Sequence, residues 1–376
     1  MTNERAHWLA WSTLHGVGPV LIKRIYEHFG SLAIAWEADL QALLEVDGIG
    51  FKLADAIASN RSTIKPTDLL EQHCAKYPDF WTPADIEYPS LLFEIADPPP
   101  VLYYRGHLHL DFSRGHWPTV GIVGTRSPSE YGKRWTRNLS VALTRQGFTI
   151  ASGLANGIDA VAHRSCLNED GYTVAVLGTG VDIVYPPHHQ TLYDTIANRG
   201  LLLSEYANGT PPDRTHFPRR NRIIAGLSRA VLVTEAPQKS GALITARLAN
   251  DYGRDVYVLP SSLDNTRGRG CLELLNQGGH MILGEAALLE ALGSLPQIPQ
   301  ALNSATQPHS IAPQPQLPEA LSQVYAQIPA DPVALDTIVL SVGLTTGGVL
   351  SALVQLELMG LVTQLPGMQY QRTHPS

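Results

Sequence analysis

Thr119-Val-Gly-Ile-Val-Gly124 carries no charge, and it runs straight into the loop Gly124-Thr-Arg-Ser127 and a helical stretch from Ser129 to Gln146. A continuous apolar run of this kind suits a strand buried on both faces. Leu139, Val141, Ala142 and Leu143 are expected to point inward from the helix that follows. The unit then repeats. Phe148-Thr-Ile-Ala-Ser152 is a strand leading to a helix from about Gly157 to Leu167. Thr173–Leu177, Leu201–Glu205, Ala230–Thr234 and Asp255–Leu259 are further apolar strands, and Ser240–Tyr252 is a helix closed by Gly253. Buried strands alternating with helices imply an α/β fold with a doubly wound, mostly parallel sheet.

Outside this core the pattern changes. Up to about Ala75 the chain reads as short helices joined by glycine turns. Leu14-His-Gly-Val-Gly-Pro19 and Val46-Asp-Gly-Ile-Gly50 each precede a helical run, ending near Phe29 and spanning Phe51 to Ser59. Gly-apolar-Gly before a helix is the helix-hairpin-helix signature, whose backbone N–H groups can hold a DNA phosphate. The same glycines also suit a small helical domain that keeps them for tight turns alone. Tyr77 to Pro100 is Pro-rich and irregular, and Val101–Gly106 is a short strand and turn leading into the core. Leu295 to Leu317 is rich in Pro, Gln, Ser and Ala and reads as a flexible linker. Helical runs at Glu319–Gln327, Pro332–Leu340 and Thr346–Met359, then two strands around a Pro-Gly turn, suggest a winged helix. Its presumed recognition helix offers Thr345, Thr346, Ser351 and Gln355. Arg372 is the module's only strong base, against Glu319, Asp331, Asp336 and Glu357. A wing that reads duplex DNA needs a positive face, so a protein contact or self-contact fits better. The expected divisions are 1–75, 76–294, 295–317 and 318–376.

Charged residues make up 16% of the 376-residue chain and hydrophobic ones 44%, the balance of ordinary globular domains. The formal net charge of −7 argues against a general nucleic-acid coat, so any polyanion must meet a local basic patch. Cys74, Cys166 and Cys271 are scattered, which excludes a disulfide scaffold and a Cys-x-x-Cys metal site and fits a reducing cytoplasm. Glu4, Arg5 and His7 interrupt any secretory apolar stretch, and no run of about 18 apolar residues could span a bilayer.

Ligands of open parallel sheets sit beyond the carboxyl ends of the strands. Four segments are expected there: Gly124-Thr-Arg-Ser127; Ser152-Gly-Leu-Ala-Asn-Gly157; Gly178-Thr-Gly180 with Tyr185-Pro-Pro187; and Phe217-Pro-Arg-Arg-Asn-Arg-Ile-Ile-Ala-Gly-Leu-Ser228, followed by Lys239-Ser-Gly241. Arg214 and His216 lie just before the arginine run. Guanidinium forks grip phosphate oxygens, and a ring offers a face for a base. The expected single-strand contacts are therefore Gly124, Thr125, Arg126, Ser152, Gly153, Arg214, Phe217, Arg219, Arg220, Asn221, Arg222, Lys239 and Ser240. No dinucleotide fingerprint appears: Gly121-Ile-Val-Gly124 lacks the spacing, and Ile183 stands where Gly178-Thr-Gly180 needs its third glycine. No Walker A sequence, metal-ligand spacing or paired carboxylates are present, so neither cofactor nor metal is expected. Ser152, Asp159 and His163 could suggest an enzyme, but the serine lacks a Gly-x-Ser-x-Gly elbow. Asp159 is expected to pin the helix and His163 to pack. His188, His189 and His216 are expected at the surface or facing phosphate.

Taken together, these segments resemble the DprA (Smf) family of DNA-processing proteins. The resemblance rests on Pro98-Pro-Pro-Val-Leu-Tyr-Tyr-Arg-Gly106, Val123-Gly-Thr-Arg126, Ser152-Gly-Leu-Ala-Asn-Gly-Ile-Asp159 with Ala162-His163, Tyr185-Pro186 and Leu203-Ser-Glu-Tyr206. It continues through Phe217 to Gly226 and Glu235-Ala-Pro-Gln-Lys-Ser-Gly-Ala-Leu-Ile-Thr-Ala246. It implies an extended Rossmann-like core that forms a homodimer, flanked by a sterile-alpha-motif-like or helix-hairpin-helix domain and a winged helix. It further implies a cytoplasmic, non-enzymatic protein of natural transformation that binds and protects incoming single-stranded DNA and loads the RecA recombinase onto it. On this resemblance Arg126 and Arg214 contact DNA, Phe217, Arg220, Asn221 and Arg222 match the family's run, and the dimer surface falls near Leu272–Leu283, with Leu272, Leu275, Met281 and Ile282. Asn156, His189 and Ser261 depart from residues common in the family. Two other readings stay open: a nucleotide enzyme like the related phosphoribohydrolases, whose glutamate-bearing Pro-Gly-Gly loop is replaced here by Ala236-Pro-Gln-Lys-Ser-Gly, and a winged-helix regulator of duplex DNA.

Overall fold

The computed structural model describes residues 4–113, 117–293, 319–328, 333–342, 345–358, 361–365 and 369–372. The chain forms two compact units, Met1–Pro299 and Gln300–Ser376.

The first unit is built on nine strands: β1 (Phe80–Trp81), β2 (Leu102–Gly106), β3 (Thr119–Val123), β4 (Thr149–Ser152), β5 (Thr173–Val176), β6 (Leu201–Ser204), β7 (Ala230–Val233), β8 (Asp255–Val258) and β9 (His280–Met281). They lie in the order β1-β2-β6-β5-β4-β3-β7-β8-β9. From β6 to β9 every pairing is parallel, while β1–β2 and β2–β6 are antiparallel. The chain steps outward from β3 through β4 and β5 to β6, then crosses back to lay β7 on the other side of β3. That reversal opens a crevice beyond the carboxyl end of β3.

Strands β3 to β7 are buried along their whole length. Alternate side chains feed opposite layers, as a pleated strand requires. Ala230 and Leu232 pack with Val120, Ile122 and Leu139, whereas Val231 and Val233 pack with Ile223 and Ile224. The helix Glu130–Arg145 is capped by the Ser129 hydroxyl, which accepts from the Gly132 N–H (3.1 Å). Leu139 and Leu143 are buried as expected, while Val141 and Ala142 are half-buried.

The helices Pro19–Phe29 and Phe51–Arg61 follow Gly18 and Gly50 and surround a core containing Trp8, Trp11 and Trp36. This helical region is fastened to the residues that follow it. Arg5 donates to the Phe80 carbonyl (2.8 Å) and pairs with Asp85 (3.2 Å), and Lys23 donates to the Ile95 carbonyl (2.8 Å). Tyr77–Pro100 is largely irregular, as its prolines suggest, yet it is tied into the unit. It holds β1 and the short helix Ser90–Phe93, and the Tyr88 hydroxyl donates to the Pro99 carbonyl (3.0 Å).

The second unit has helices Glu319–Ala326, Leu335–Val342 and Thr346–Leu358, with β10 (Val333–Ala334), β11 (Val362–Leu365) and β12 (Gln369–Arg372) in the order β10-β12-β11. Val324, Ile338, Leu356 and Tyr370 are buried in its core. This is a winged helix. Val333 and Ala334 pair with Tyr370 and Gln369, so they open the second helical run as a strand. The expected linker, 295–317, and the Pro366-Gly367 turn lie outside the described residues.

Candidate nucleic-acid interface

The loop after β3 is held from both sides. The Thr125 N–H donates to the Glu235 carbonyl (2.7 Å), and the Ile158 N–H donates to the Thr125 carbonyl (3.2 Å). Glycine is needed at 124, because a Cβ there would lie 2.5 Å from Ile158 Cγ1. Thr125 is buried, and the pinned loop pushes Arg126 outward. Arg126 is exposed and pairs with no carboxylate among the described residues; its guanidinium carbon lies 5.8 Å from the Phe217 ring centroid. Glu235 is a brace. Its buried carboxylate accepts from the Ser129 N–H (2.6 Å), the Ser129 hydroxyl (2.7 Å) and Asn265 Nδ2 (3.1 Å).

The arginine run forms the helix His216–Leu227. Residues three and four apart share a helix face, and here Phe217, Arg220, Asn221 and Ile224 line one cavity of 650 Å³ at the switch point. Arg126, Tyr185, Arg214 and Ser240 line it as well, and Asp159 is the only acidic residue lining it among the described residues. Arg220 forms the floor. It is 4% exposed, its Nη1 donates to the Gly153 carbonyl (2.8 Å), and its Nε has no hydrogen-bond partner among the described residues. Burial pushes its pKa down to about 10, with Asp159 opposing the shift and Arg126 adding to it. Arg220 therefore stays cationic at neutral pH. A Cβ on Gly153 would sit 2.5 Å from Arg220 Nη2, so glycine is what lets the guanidinium approach that loop.

Arg222 is turned away from the cavity, and its expected contact role needs correction. Its Nη1 and Nη2 bind the two Glu205 carboxylate oxygens (2.9 Å each), and its Nε lies 3.0 Å from the Asp97 carboxylate. Burial alone would lower its pKa, but Glu205 and Asp97 more than reverse this and raise it. Arg222 is a buried tie between the helix, the end of β6 and the Pro-rich segment. Arg219 lies at the edge of the same network, largely exposed and 3.6 Å from Glu205.

Ser152 is corrected too. It is fully buried and its hydroxyl donates to the Ile122 carbonyl (2.6 Å), stitching β4 to β3. Asp159 accepts from the N–H groups of Gly153 (3.1 Å) and Ala155 (3.4 Å) and so shapes that loop; burial raises its pKa. His163 is fully buried, with Nδ1 against the Thr173 hydroxyl (2.7 Å), and burial pushes its pKa down to about 3. His163 packs in the interior as expected, and Asp159 pins the loop that leads into its helix.

On the opposite wall, the Phe217 ring packs over Gly178, where a Cβ would come within 2.9 Å of it. Tyr185 tilts against the same ring at 5.4 Å and is 38% exposed. Tyr185, a residue of the Tyr-Pro-Pro turn, is thus the more accessible stacking surface. His216 stacks on Tyr206 at 4.0 Å. Arg214 is exposed at the rim, without a carboxylate partner among the described residues. Ser240 caps the helix Gly241–Asp251, and Asn221 Nδ2 donates to the Gly241 carbonyl (3.3 Å). Lys239 is exposed beside this cap and outside the cavity lining. His189, expected at the surface, is buried with Nδ1 against the Leu154 carbonyl (3.0 Å).

Of the residues expected at a dimer surface, Ile282 instead packs into the core of its own chain. Met281 is 51% exposed beside it, and Leu272 and Leu275 are half-buried. Among the described residues no group of three or more His, Cys, Asp or Glu side chains could hold a metal ion, and no helix is long and apolar enough to cross a membrane.

The family model for DNA recombination-mediator protein A matches residues 79–293, which include the sheet and the whole crevice. The chain belongs to the DprA/Smf family. The DprA winged helix model matches 307–368, and a SAM-like helix-hairpin-helix tandem matches 12–59. Protein Smf from Synechocystis sp. is 49% identical over 98% of this chain and 99% of its own length. The X-ray structure of DprA from Streptococcus pneumoniae superposes with a TM-score of 0.64 at 34% identity, covering 77% of this chain and 98% of that one. The Helicobacter pylori DprA, solved to study its single-stranded DNA binding mode, gives a TM-score of 0.51 at 32% identity over 57% of this chain and 95% of its own.

Proposed function

We propose that this DprA/Smf member binds single-stranded DNA at the switch-point crevice with little regard for base sequence and without chemistry on the strand. The observation that carries the reading is a cavity with a buried arginine at its base and two uncompensated arginines at its rim, on a chain of net charge −7. Arg126, Arg214 and Arg220 meet backbone phosphates, Asn221 and Ser240 supply polar contacts, and bases stack on Tyr185 beside Phe217. Each stacked base contributes about 1–3 kcal/mol. Three neutralised phosphates give a log–log salt slope of about −2. The bound strand is then passed to a RecA-type recombinase during uptake of DNA into the cytoplasm, and the protein acts as a homodimer through the β9 end of its core.

The test is a mobility-shift titration with unstructured oligonucleotides. Arg126→Ala and Arg214→Ala are expected to weaken binding strongly while the circular dichroism spectrum stays unchanged. Undiminished affinity in both variants removes the site. Hand-over is measured as recombinase filament formation on strands precoated with single-strand binding protein, with and without this chain. No acceleration by the protein ends that part of the reading.

A further inference from the structure

Arg126 borders a second depression on its other side. This groove, 500 Å³ in volume, is lined by Lys133, Asn156, Arg164, His188 and Arg267 in addition to Arg126, and no acidic side chain among the described residues lines it. The residues come from separate elements: the start of the helix Glu130–Arg145, the helix Ile158–Asn168 and its preceding loop, the turn after Tyr185-Pro186, and the turn Thr266–Gly268. Lys133 is compensated by Glu130 (2.8 Å), and Asn156 is bonded to His188 (2.6 Å). Arg164 and Arg267 are exposed and have no carboxylate partner among the described residues. With Arg126 they make three unpaired guanidinium groups around one groove. In a chain of net charge −7, a groove edged by exposed cations from separate segments focuses a positive potential that attracts an anion.

We infer that this groove carries the strand onward from the crevice, Arg126 gripping the backbone where the two depressions meet and Arg164 and Arg267 holding the phosphates beyond it. The inference rests on the single-strand reading above and extends it. It makes the DNA path longer than one cavity, with two electrostatically separate stretches. The ligand is one continuous polyanion, because the depressions share a lining residue and both open at the loop after β3.

The experiment compares the full chain with the double variant Arg164→Ala/Arg267→Ala, using oligothymidylates of about 4 and about 16 nucleotides. Both replaced side chains are exposed, so thermal melting should be unchanged; Arg164→Glu/Arg267→Glu provides a stronger perturbation at the same positions. The expected result is unchanged affinity for the short strand, a loss of roughly tenfold or more for the long one, and a salt slope on the long strand shallower by about 1.4. Unchanged affinity and slope on the long strand overturn the inference while leaving the crevice reading intact. Equal losses on both lengths overturn it as well, since the groove would then not be a separate stretch. Failure of both Arg126→Ala and Arg214→Ala to weaken the short strand overturns the crevice reading, and this one with it.

Discussion

Replacing Arg222 by alanine should unfold the protein more readily, and this is the sharpest consequence of the buried tie. The guanidinium is 4% exposed and meets both oxygens of Glu205 at 2.9 Å and the Asp97 carboxylate at 3.0 Å. Alanine leaves the Glu205 carboxylate, itself only 7% exposed, without its bidentate partner in a buried site. Removing one member of a buried pair costs about 3–5 kcal/mol, a large share of a typical total of about 5–15 kcal/mol. For a unit of this size that lowers the melting temperature by about 5–8 °C. The assay is thermal melting followed by circular dichroism, with single-strand affinity measured on the folded protein well below the transition. Arg126→Ala is the contrast, expected to melt within about 0.5 kcal/mol of the parent yet bind poorly. Arg222→Met combined with Glu205→Leu should recover much of the lost stability, since an apolar pair can replace a buried ionic one. If Arg222→Ala melts like the parent and loses affinity instead, Arg222 touches DNA and the account of its role is wrong.

Gly153→Ala places a methyl group 2.5 Å from Arg220 Nη2 and must displace it from the cavity floor; affinity for single strands should drop at least about tenfold, and a variant that binds normally would show that Arg220 does not reach the phosphate. His163 has a folded pKa of about 3 against 6.5 when unfolded, so between these values the unfolded chain holds the extra proton. The stability this confers is complete above pH 6.5 and is lost as pH falls toward 3, amounting to about 2 kcal/mol by pH 5. His163→Asn should flatten the dependence of melting temperature on pH between 7 and about 5, and an unchanged slope would falsify the assignment.

The parallel strands from β3 to β8 were readable to within a residue or two because burial leaves them largely apolar, as in Ala230–Val233. β1 and β9 escaped because each spans two residues, and both residues of β9 are exposed. The crevice was legible as a cluster of loops, since glycine and arginine mark strand ends that face a ligand. Its membership was less so. Assigning the whole segment Phe217–Ser228 to the crevice put every arginine on one surface. Given helical geometry, positions 217, 220, 221 and 224 fall together and 222 is carried round to another side, so the periodicity already held the signal that separates Arg220 from Arg222. The partners Glu205 and Asp97, 17 and 125 residues away, had no local signature. Ser152 misled for a similar reason: the hydroxyl at the end of a strand pointed to its neighbour strand rather than to the loop it precedes.

The antiparallel addition of β1 to β2 fixes where this chain can be shortened. A fragment beginning at Val101 would strip β2 of one neighbour and leave Arg222 with a single carboxylate. The first cut that spares both falls ahead of Phe80, which is also where the family model starts, at residue 79. A minimal binding fragment must therefore retain the proline-dense stretch that resembles a dispensable spacer, because it acts as the outer rail of the sheet.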